Sequence, residues 1–539
     1  MTSRVDNVRP RGHHGVVNRT SLALAALAIL PAPALGATQW LPQSTVAPPA
    51  RGTGAPSVAG NDDGRALAAW ATSSGVVTTL RTPGGPWYAP VRIPGSGRGA
   101  TQVSTAMTSG GLAAVAWVEG GRVRVSVRPA RRRFLPAATV SAAGRVAATP
   151  VVALGGACAP LVAWTAEPTR GGDSAIEVTC GTASGRFPIA RPVSAADDNA
   201  FTPAVAASRG GSVVVWRSDS GDLHRVRAAM RQKDGAFTAP ADVSQASASV
   251  FVDPSVAMTP AGEAVAAWTL GRGNDLVTQA STLTGGTWSR ADDLSRAGGV
   301  ARGAQVASDA NGNVVAAWVR AGVVQASTRV AGQAWGPPAD LSDAAATAGA
   351  PRLSVSGSGA ALVTWPAASG ATYLAQAALR HAGGAFGAPA TISDARSPAI
   401  APDGVIGDDG IAPVAWQSTD PGIDPALAAS GIATSTGFAG SEEPGPAILA
   451  DLRARPSTVR PGQRIALTFG LSQPSRVRLA VTPAAGGREV SALSVSGADG
   501  ANTITLEGGL GGGALGRGRW RITATPRGGI SRSLVLVVR

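Results

Sequence analysis

Few residues in this 539-residue chain have types that do chemistry, and their spacing decides what they can do. Beyond the basic, apolar N-terminal stretch only two histidines occur, His224 and His381, far apart in the chain. A zinc centre needs about four ligands in one place. A Ser-His-Asp arrangement needs a base beside a nucleophile, and no segment has the form of a nucleophile turn. The two tyrosines, Tyr88 and Tyr373, have no neighbouring Glu. Carboxylates are the remaining candidates: Glu167, Asp173, Asp219, Asp222, Asp275, Asp420 and Asp424. Two of them brought together by the fold would suit acid–base cleavage of a glycosidic bond; taken singly they read as solvated loop charges. Asn61-Asp62-Asp63-Gly64 and Asp408-Asp409-Gly410 lack the spaced oxygen ligands of a dedicated calcium loop and read as tight hairpins. No metal and no cofactor is expected. The two cysteines, Cys158 and Cys180, are expected to pair in an exported chain.

The elements that must position these residues are announced by a repeat. Tryptophan recurs at Trp70, Trp117, Trp164, Trp216, Trp268, Trp318, Trp365 and Trp416, at intervals of 47, 47, 52, 52, 50, 47 and 51 residues. Each closes a run of small apolar residues, as in Val265-Ala266-Ala267-Trp268 and Val315-Ala316-Ala317-Trp318. A second aromatic follows each: Trp87, Phe134, Phe187, Phe237, Trp288, Trp335, Phe386 and Phe438. It usually comes after a Gly-rich turn and before a segment such as Asp292-Asp293-Leu294-Ser295. Each unit reads as four strands joined by hairpins. Four-stranded units repeated at about this period describe propeller blades. The expected fold is all-β, a β-propeller of about eight blades with seven as the alternative, over residues 37–444. Trp40-Leu41-Pro42-Gln43-Ser44 resembles a fourth strand ahead of the first unit, and the last unit lacks a good one of its own, so the N-terminal strand is expected to close the ring.

From Ile448 the pattern changes. Ile465–Phe469, Val477–Val481, Asn502–Leu506, Trp520–Ala524 and Leu534–Val538 alternate or carry short apolar runs, as half-buried strands do. This stretch, residues 448–539, resembles the immunoglobulin-like β-sandwich domains that close many bacterial extracellular proteins. The resemblance implies a spacer or adhesion module. Pro and Gly around Gly445 read as a linker with few contacts across it.

The propeller resembles the sialidase-like group of secreted bacterial propellers, without that group's catalytic set. Ser308-Asp309-Ala310-Asn311-Gly312 begins like an Asp-box turn, but Trp318 comes six residues after the Gly rather than three. Arg92-Ile93-Pro94 matches the Arg-Ile-Pro motif literally, yet it falls where other repeats carry Asp-Leu-Ser.

Charge and targeting bound the partners. Arg4, Arg9, Arg11 and Arg19 precede the apolar run Ser21–Leu30, which Pro31 and Pro33 break before Ala34-Leu35-Gly36. This has the form of a signal peptide over residues 1–36. The run is shorter than the roughly 20 residues a membrane span needs, so no transmembrane span is expected after cleavage. The net charge is +14, and +11 without those 36 residues. It is carried by scattered Arg with one run, Arg131-Arg132-Arg133, and only one lysine, Lys233. No nucleic-acid-binding module accompanies it, which argues against a nucleic-acid partner; attraction to acidic cell-surface polymers fits.

The expectation is a secreted protein, extracellular or loosely held at the cell surface, that binds a glycan or protein partner without catalysis. The alternative is a polysaccharide-active glycoside hydrolase or lyase on the same scaffold. Any ligand is expected on the face where second-to-third-strand loops and interblade connections emerge, because variable loops on a rigid scaffold carry binding. The residues singled out there are Asp197, Asp198, Asp219, Asp222, Arg272, Asn274, Asp275, Asp420 and Asp424.

Overall fold

A computed structural model describes residues 39–156, 158–232, 234–248, 252–272, 275–344, 347–370, 372–419, 429–439, 446–506 and 515–539. The expected signal peptide and the junction at Gly445 lie outside the described residues, as do Asn274, Asp420 and Asp424.

The repeats fold as eight antiparallel sheets of four strands, the fourth strand split in two places. We number the blades from the first Trp unit. The innermost strands are Ser57–Gly60, Ala100–Met107, Arg145–Gly155, Asn199–Ser208, Val252–Met258, Ala301–Ser308, Arg352–Val355 and Ala399–Gly404. Each packs against the innermost strand of the next blade, and the last packs against the first. The sheets therefore form a closed eight-bladed ring, which resolves the choice between seven and eight.

The tryptophans explain why the ring closes. All eight sit near the ends of second strands and are at most 1% exposed. Each packs on the blade before it: Trp117 against Leu67, Ala69 and Val76, Trp268 against Val213, Val215 and Val226, and Trp70 against Ala415 and Ile432 of blade 8. The small Ala and Val around them let sheets approach closely enough to bury an indole, and a buried aromatic of this size is worth several kcal/mol, about 3–5 on truncation to Ala.

A second repeated device stands where the sequence pattern ended in Leu-Ser. In seven blades a serine hydroxyl after the fourth strand accepts the backbone N–H of a third-strand residue. Examples are Ser141 from Val123 (2.9 Å), Ser295 from Thr278 (2.9 Å) and Ser342 from Val324 (2.9 Å). Ser96 plays this part in blade 1, so Ile93 of the Arg-Ile-Pro stretch is simply the buried apolar residue that precedes it, like Leu294.

Blade 8 takes its outer strand from the N-terminal side, as the sequence pattern implies. Gln39–Trp40 and Ser44–Ala50 both pair with Ser430–Phe438. Trp40 supplies the aromatic of that outer position, and a Cβ at Gly437 would come within 2.8 Å of its indole. Phe438 is thus not a fourth-strand aromatic. It ends the third strand, opposite Ile411, and faces the C-terminal segment.

Pro446 onward builds two sheets. One holds Leu449–Arg455, Ile465–Leu471 and Gly500–Leu506. The other runs in the order Thr458–Val459, Arg532–Val538, Gly518–Pro526, Ser475–Pro483, Ser491–Gly497. They share a core that includes Leu467, Phe469, Leu479, Val481, Ile522 and Leu536.

The expectation of few contacts between propeller and tail is not met. Leu41, Ile411 and Phe438 form one buried cluster with Ala450 and Ile448. Arg532 pairs with Asp409 (2.9 Å), and Arg81 with Asp451 (3.2 Å). Phe438 would be an exposed apolar end of blade 8 without this cover, so burying it ties the tail to the ring.

Candidate functional site

The two faces of the ring are built differently. On one face the first-to-second-strand turns meet around the axis. The Asp62 carboxylate accepts the N–H of Gly357 (2.8 Å), the Asp408 carboxylate that of Ser358 (2.6 Å), and the Asp62 carbonyl that of Asp408 (2.9 Å). Asn61 accepts the N–H of Arg65 and donates to Ser109 O (2.9 Å). The Asp-rich turns thus spend oxygens on other blades and on their own hairpins. Among the described residues no group of three or more His, Cys, Asp or Glu is placed to hold a metal. Cys158 and Cys180 are bonded at this side of blade 3, with Cα atoms 5.3 Å apart.

The opposite face carries the variable loops. In blade 4 the hairpin between Gly211–Ser220 and Leu223–Arg231 brings Arg217, Asp219 and His224 together. Arg217 grips Asp219 with two bonds, 2.8 and 2.7 Å, and His224 Nδ1 lies 2.7 Å from the same carboxylate. Burial raises the pKa of Asp219, but its bonds to Arg217 and His224 outweigh that and hold the carboxyl below its ordinary range. Asp198 is buried and accepts from the Ser218 hydroxyl (2.6 Å) and Arg227 (2.9 Å). Asp242 pairs with Arg225 and Arg227.

Of the expected site residues, Asp198 and Asp219 therefore come together in one blade, but as supports whose charge is already neutralised. Asp198 is too buried to meet a ligand from outside, which corrects its place in the expected set. Asp197 and Asp222 are exposed at neighbouring loop tips. Asp275 accepts the N–H of Gly298 (2.8 Å) and its backbone pairs with Arg272.

Beside this network a groove of about 1050 Å³ runs between the outer strands of blades 4 and 5. Its polar lining includes Asp242, Gln245, Ser247, Gln279, Asp292 and Asp293, with Leu270 and Ala291 among its apolar residues. Gln279 donates to Asp293 (2.7 Å). Gly271, directly before Arg272 in the chain, is among its lining residues.

At the axis, the same face opens into a cavity of about 620 Å³. It is lined by the starts of innermost strands, which carry bulges after Thr101, Ala148 and Ile400. The bulges put Gln102, Thr149 and Ala401 at positive φ (53°, 48° and 48°), a conformation that costs non-glycine residues energy and re-aims the strand. Asp403 is the one carboxylate among the lining residues. It accepts the N–H of Val58 across the blade 8–blade 1 seam (2.7 Å) and that of Gly404 (3.0 Å). Burial pushes its pKa up, against the pull of Arg352 and these two N–H groups. Sequence reasoning missed Asp403. The available signal was Pro402-Asp403 standing where other repeats have Pro56-Ser57 and Pro254-Ser255. In blade 5 the serine of that pair, Ser255, accepts from Val306 of the next blade (3.1 Å), so Asp403 is the ring-closing version of a structural bond.

Tyr88 and Tyr373 are each 52% exposed and lie on blades 1 and 7, so no Tyr nucleophile meets the axial carboxylate.

No family model and no curated protein matches the sequence. Solved structures similar to the chain include a fungal alcohol oxidase of the AA5 family in complex with copper (14% identity, 94% of this chain and 99% of that one, TM-score 0.42). Another is the Trypanosoma rangeli sialidase (9% identity, 76% and 86%, TM-score 0.33). A third is the GH93 α-L-arabinofuranosidase of Fusarium graminearum (10% identity, 62% and 92%, TM-score 0.35). At these values the likenesses carry no argument about ligands, and the propeller stands on its closed ring of sheets.

Proposed function

We propose that this is a secreted or cell-surface binding protein whose propeller takes a glycan on its loop-bearing face, in the groove between blades 4 and 5, without catalysis. The observation that carries the reading is the groove's lining. Amides and hydroxyls that donate and accept hydrogen bonds, carboxylates that accept them, and apolar side chains share the lining, a mixture suited to sugar hydroxyls and C–H faces. Asp219 and Asp198 brace blade 4 beside the groove, and Asp197, Asp222 and Asp275 belong to loops of the same face. The immunoglobulin-like reading of the tail fits a spacer that holds the ring.

Cleavage by a carboxylate pair is the weaker reading. It needs two carboxyl groups roughly 5–10 Å apart; Asp403 is alone among the residues lining the axial cavity, and in the groove Asp242 is engaged by Arg225 and Arg227 and Asp293 by Gln279. The two backbone N–H partners of Asp403 also engage it as a structural acceptor.

The test is retention in native gels that contain neutral polysaccharides. The wild type should be slowed by at least one, and Gln245→Ala with Asp292→Ala should run free while keeping its fold, since both side chains are exposed. Unchanged retention of the double variant would remove the groove from the account.

A further inference from the structure

The face opposite the proposed groove holds a second cleft, between blades 1 and 2. It encloses about 300 Å³ and is lined by Arg65, Arg81, Arg128 and Arg131 against a single carboxylate, Asp63. The repeat supplies an internal control for these charges. Arg128 ends the third strand of blade 2 opposite Ala113, as Arg329 ends that of blade 6 opposite Val314. Arg65 closes the first turn of blade 1 as Glu263 closes that of blade 5, each after a glycine at positive φ (79° and 88°). Leu80 of blade 1 occupies the register position of Thr282 in blade 5.

Between blades 5 and 6 this frame is self-neutralised. Arg329 donates to Glu263 (2.9 Å) and to the Thr282 hydroxyl (2.7 Å), and it lies over the Trp335 ring. Between blades 6 and 7, Arg380 donates to Thr328 (2.8 Å) and to Gly359 O (2.9 Å), and the nearby Asp309 favours its charge. Between blades 1 and 2 both partners are replaced: Glu by Arg65, Thr by Leu80. Among the described residues Arg128 has only a long bond to Gly111 O (3.4 Å), and after burial the charge of Arg65 is what lowers its pKa. Arg65 itself pairs with the exposed Asp63 (2.9 Å). Arg81 adds a buried guanidinium with no exposed side-chain surface. One of its nitrogens meets Asp451, while Nε and Nη1 have no partner among the described residues. Two guanidinium groups against the one carboxylate of Asp63, with the charge of Arg81 buried beside them, make the cleft complementary to an anion.

We propose that this cleft is an oxyanion site for the carboxylate of an acidic sugar unit, with Arg128 and Arg65 as its cations, the buried Arg81 adding its charge without contact, and Tyr88 as the wall for the sugar ring. The cations follow from the register comparison alone. The sugar rests on the carbohydrate reading above, and is supported by a volume at the small end of ligand pockets and by the half-exposed Tyr88 ring in the lining. Arg131, the first residue of the Arg131–Arg133 run, reaches the same lining from its turn.

The test is calorimetric titration of the full chain with digalacturonate, sodium phosphate and neutral digalactose. Arg65→Glu rebuilds the blade 5–6 pairing and should weaken digalacturonate at least tenfold without lowering the melting temperature. Digalactose should not bind here, and phosphate should bind more weakly than digalacturonate. Absence of digalacturonate binding, full retention by Arg65→Glu, or phosphate binding as tightly as the sugar acid would overturn the proposal. Gln245→Ala with Asp292→Ala should leave digalacturonate binding unchanged. Loss of uronate binding in that variant would place the ligand in the blade 4–5 groove, refuting this site while leaving the carbohydrate reading intact.

Discussion

The turn face and the loop face of the ring use charge for different ends. On the turn face the carboxylates of Asp62, Asp408 and Asp409 reach other blades or the tail. In the outer loops of the other face Asp219 and Asp198 bond within blade 4. Long-range pairing on the turn face, and by Asp403 at the axis of the loop face, holds the architecture together; local pairing in the outer loops leaves each loop free to differ from its neighbours. The difference teaches that a propeller built from degenerate repeats can keep its variable surface because its closure is secured elsewhere.

The comparison breaks hardest at the tail interface. Arg532→Ala leaves Asp409 without its guanidinium, and breaking a buried pair costs about 3–5 kcal/mol. Burial already raises the pKa of Asp409, so the folded state takes up a proton more readily than the unfolded chain. Stability therefore rises as pH falls through that window, and the Arg532→Ala defect in urea unfolding should shrink on acidification from pH 7. A defect equal at all pH values would mean that Asp409 is not the group left unpaired.

Next in size is the cross-link of blade 3. Replacing both Cys158 and Cys180 by Ala should cost about 3 kcal/mol on the loop-entropy account, read as a lower urea midpoint. No loss would show that the ring already restrains that hairpin.

The loop face should respond less. Asp219→Asn removes charge-assisted bonds to Arg217 and His224, worth about 1.5–3 kcal/mol. Its carboxyl is held below the ordinary value, so the contribution is present above the unfolded pKa and lost as pH falls through the folded one. The gap between wild type and variant should be full at pH 7 and narrow only as pH falls below the ordinary carboxylate range. Smallest of all, Asp222→Ala at an exposed loop tip should change stability by no more than ~0.5 kcal/mol. A larger loss there would mean that the loop face is also structural.

The sequence made the architecture legible because one residue type, Trp, had to recur wherever a blade meets the blade before it. The closing role of the segment around Trp40 was legible for the same reason, since an aromatic stood before the first unit with no unit of its own. Phe438 was misplaced because a Phe at the end of a third strand and one in a fourth strand look alike when the next turn is not repeated. The loop-face carboxylates were visible as a set, but sequence spacing cannot separate Asp198, folded inward against Ser218, from Asp197 beside it in solvent. The Arg65–Arg128 juxtaposition was beyond spacing as well: the residues belong to different blades, and only the register shows that Glu263 and Thr282 are their counterparts.

Binding without cleavage is the central claim, and a single incubation tests it most directly. Purified protein at stoichiometric concentration is mixed with each polysaccharide that retains it, and reducing ends are followed alongside binding. The account predicts retention that depends on Gln245 and Asp292, with no reducing ends above the buffer control. Release of reducing ends that is lost in Asp403→Asn would contradict it and make the axial cavity, not the groove, the centre of function.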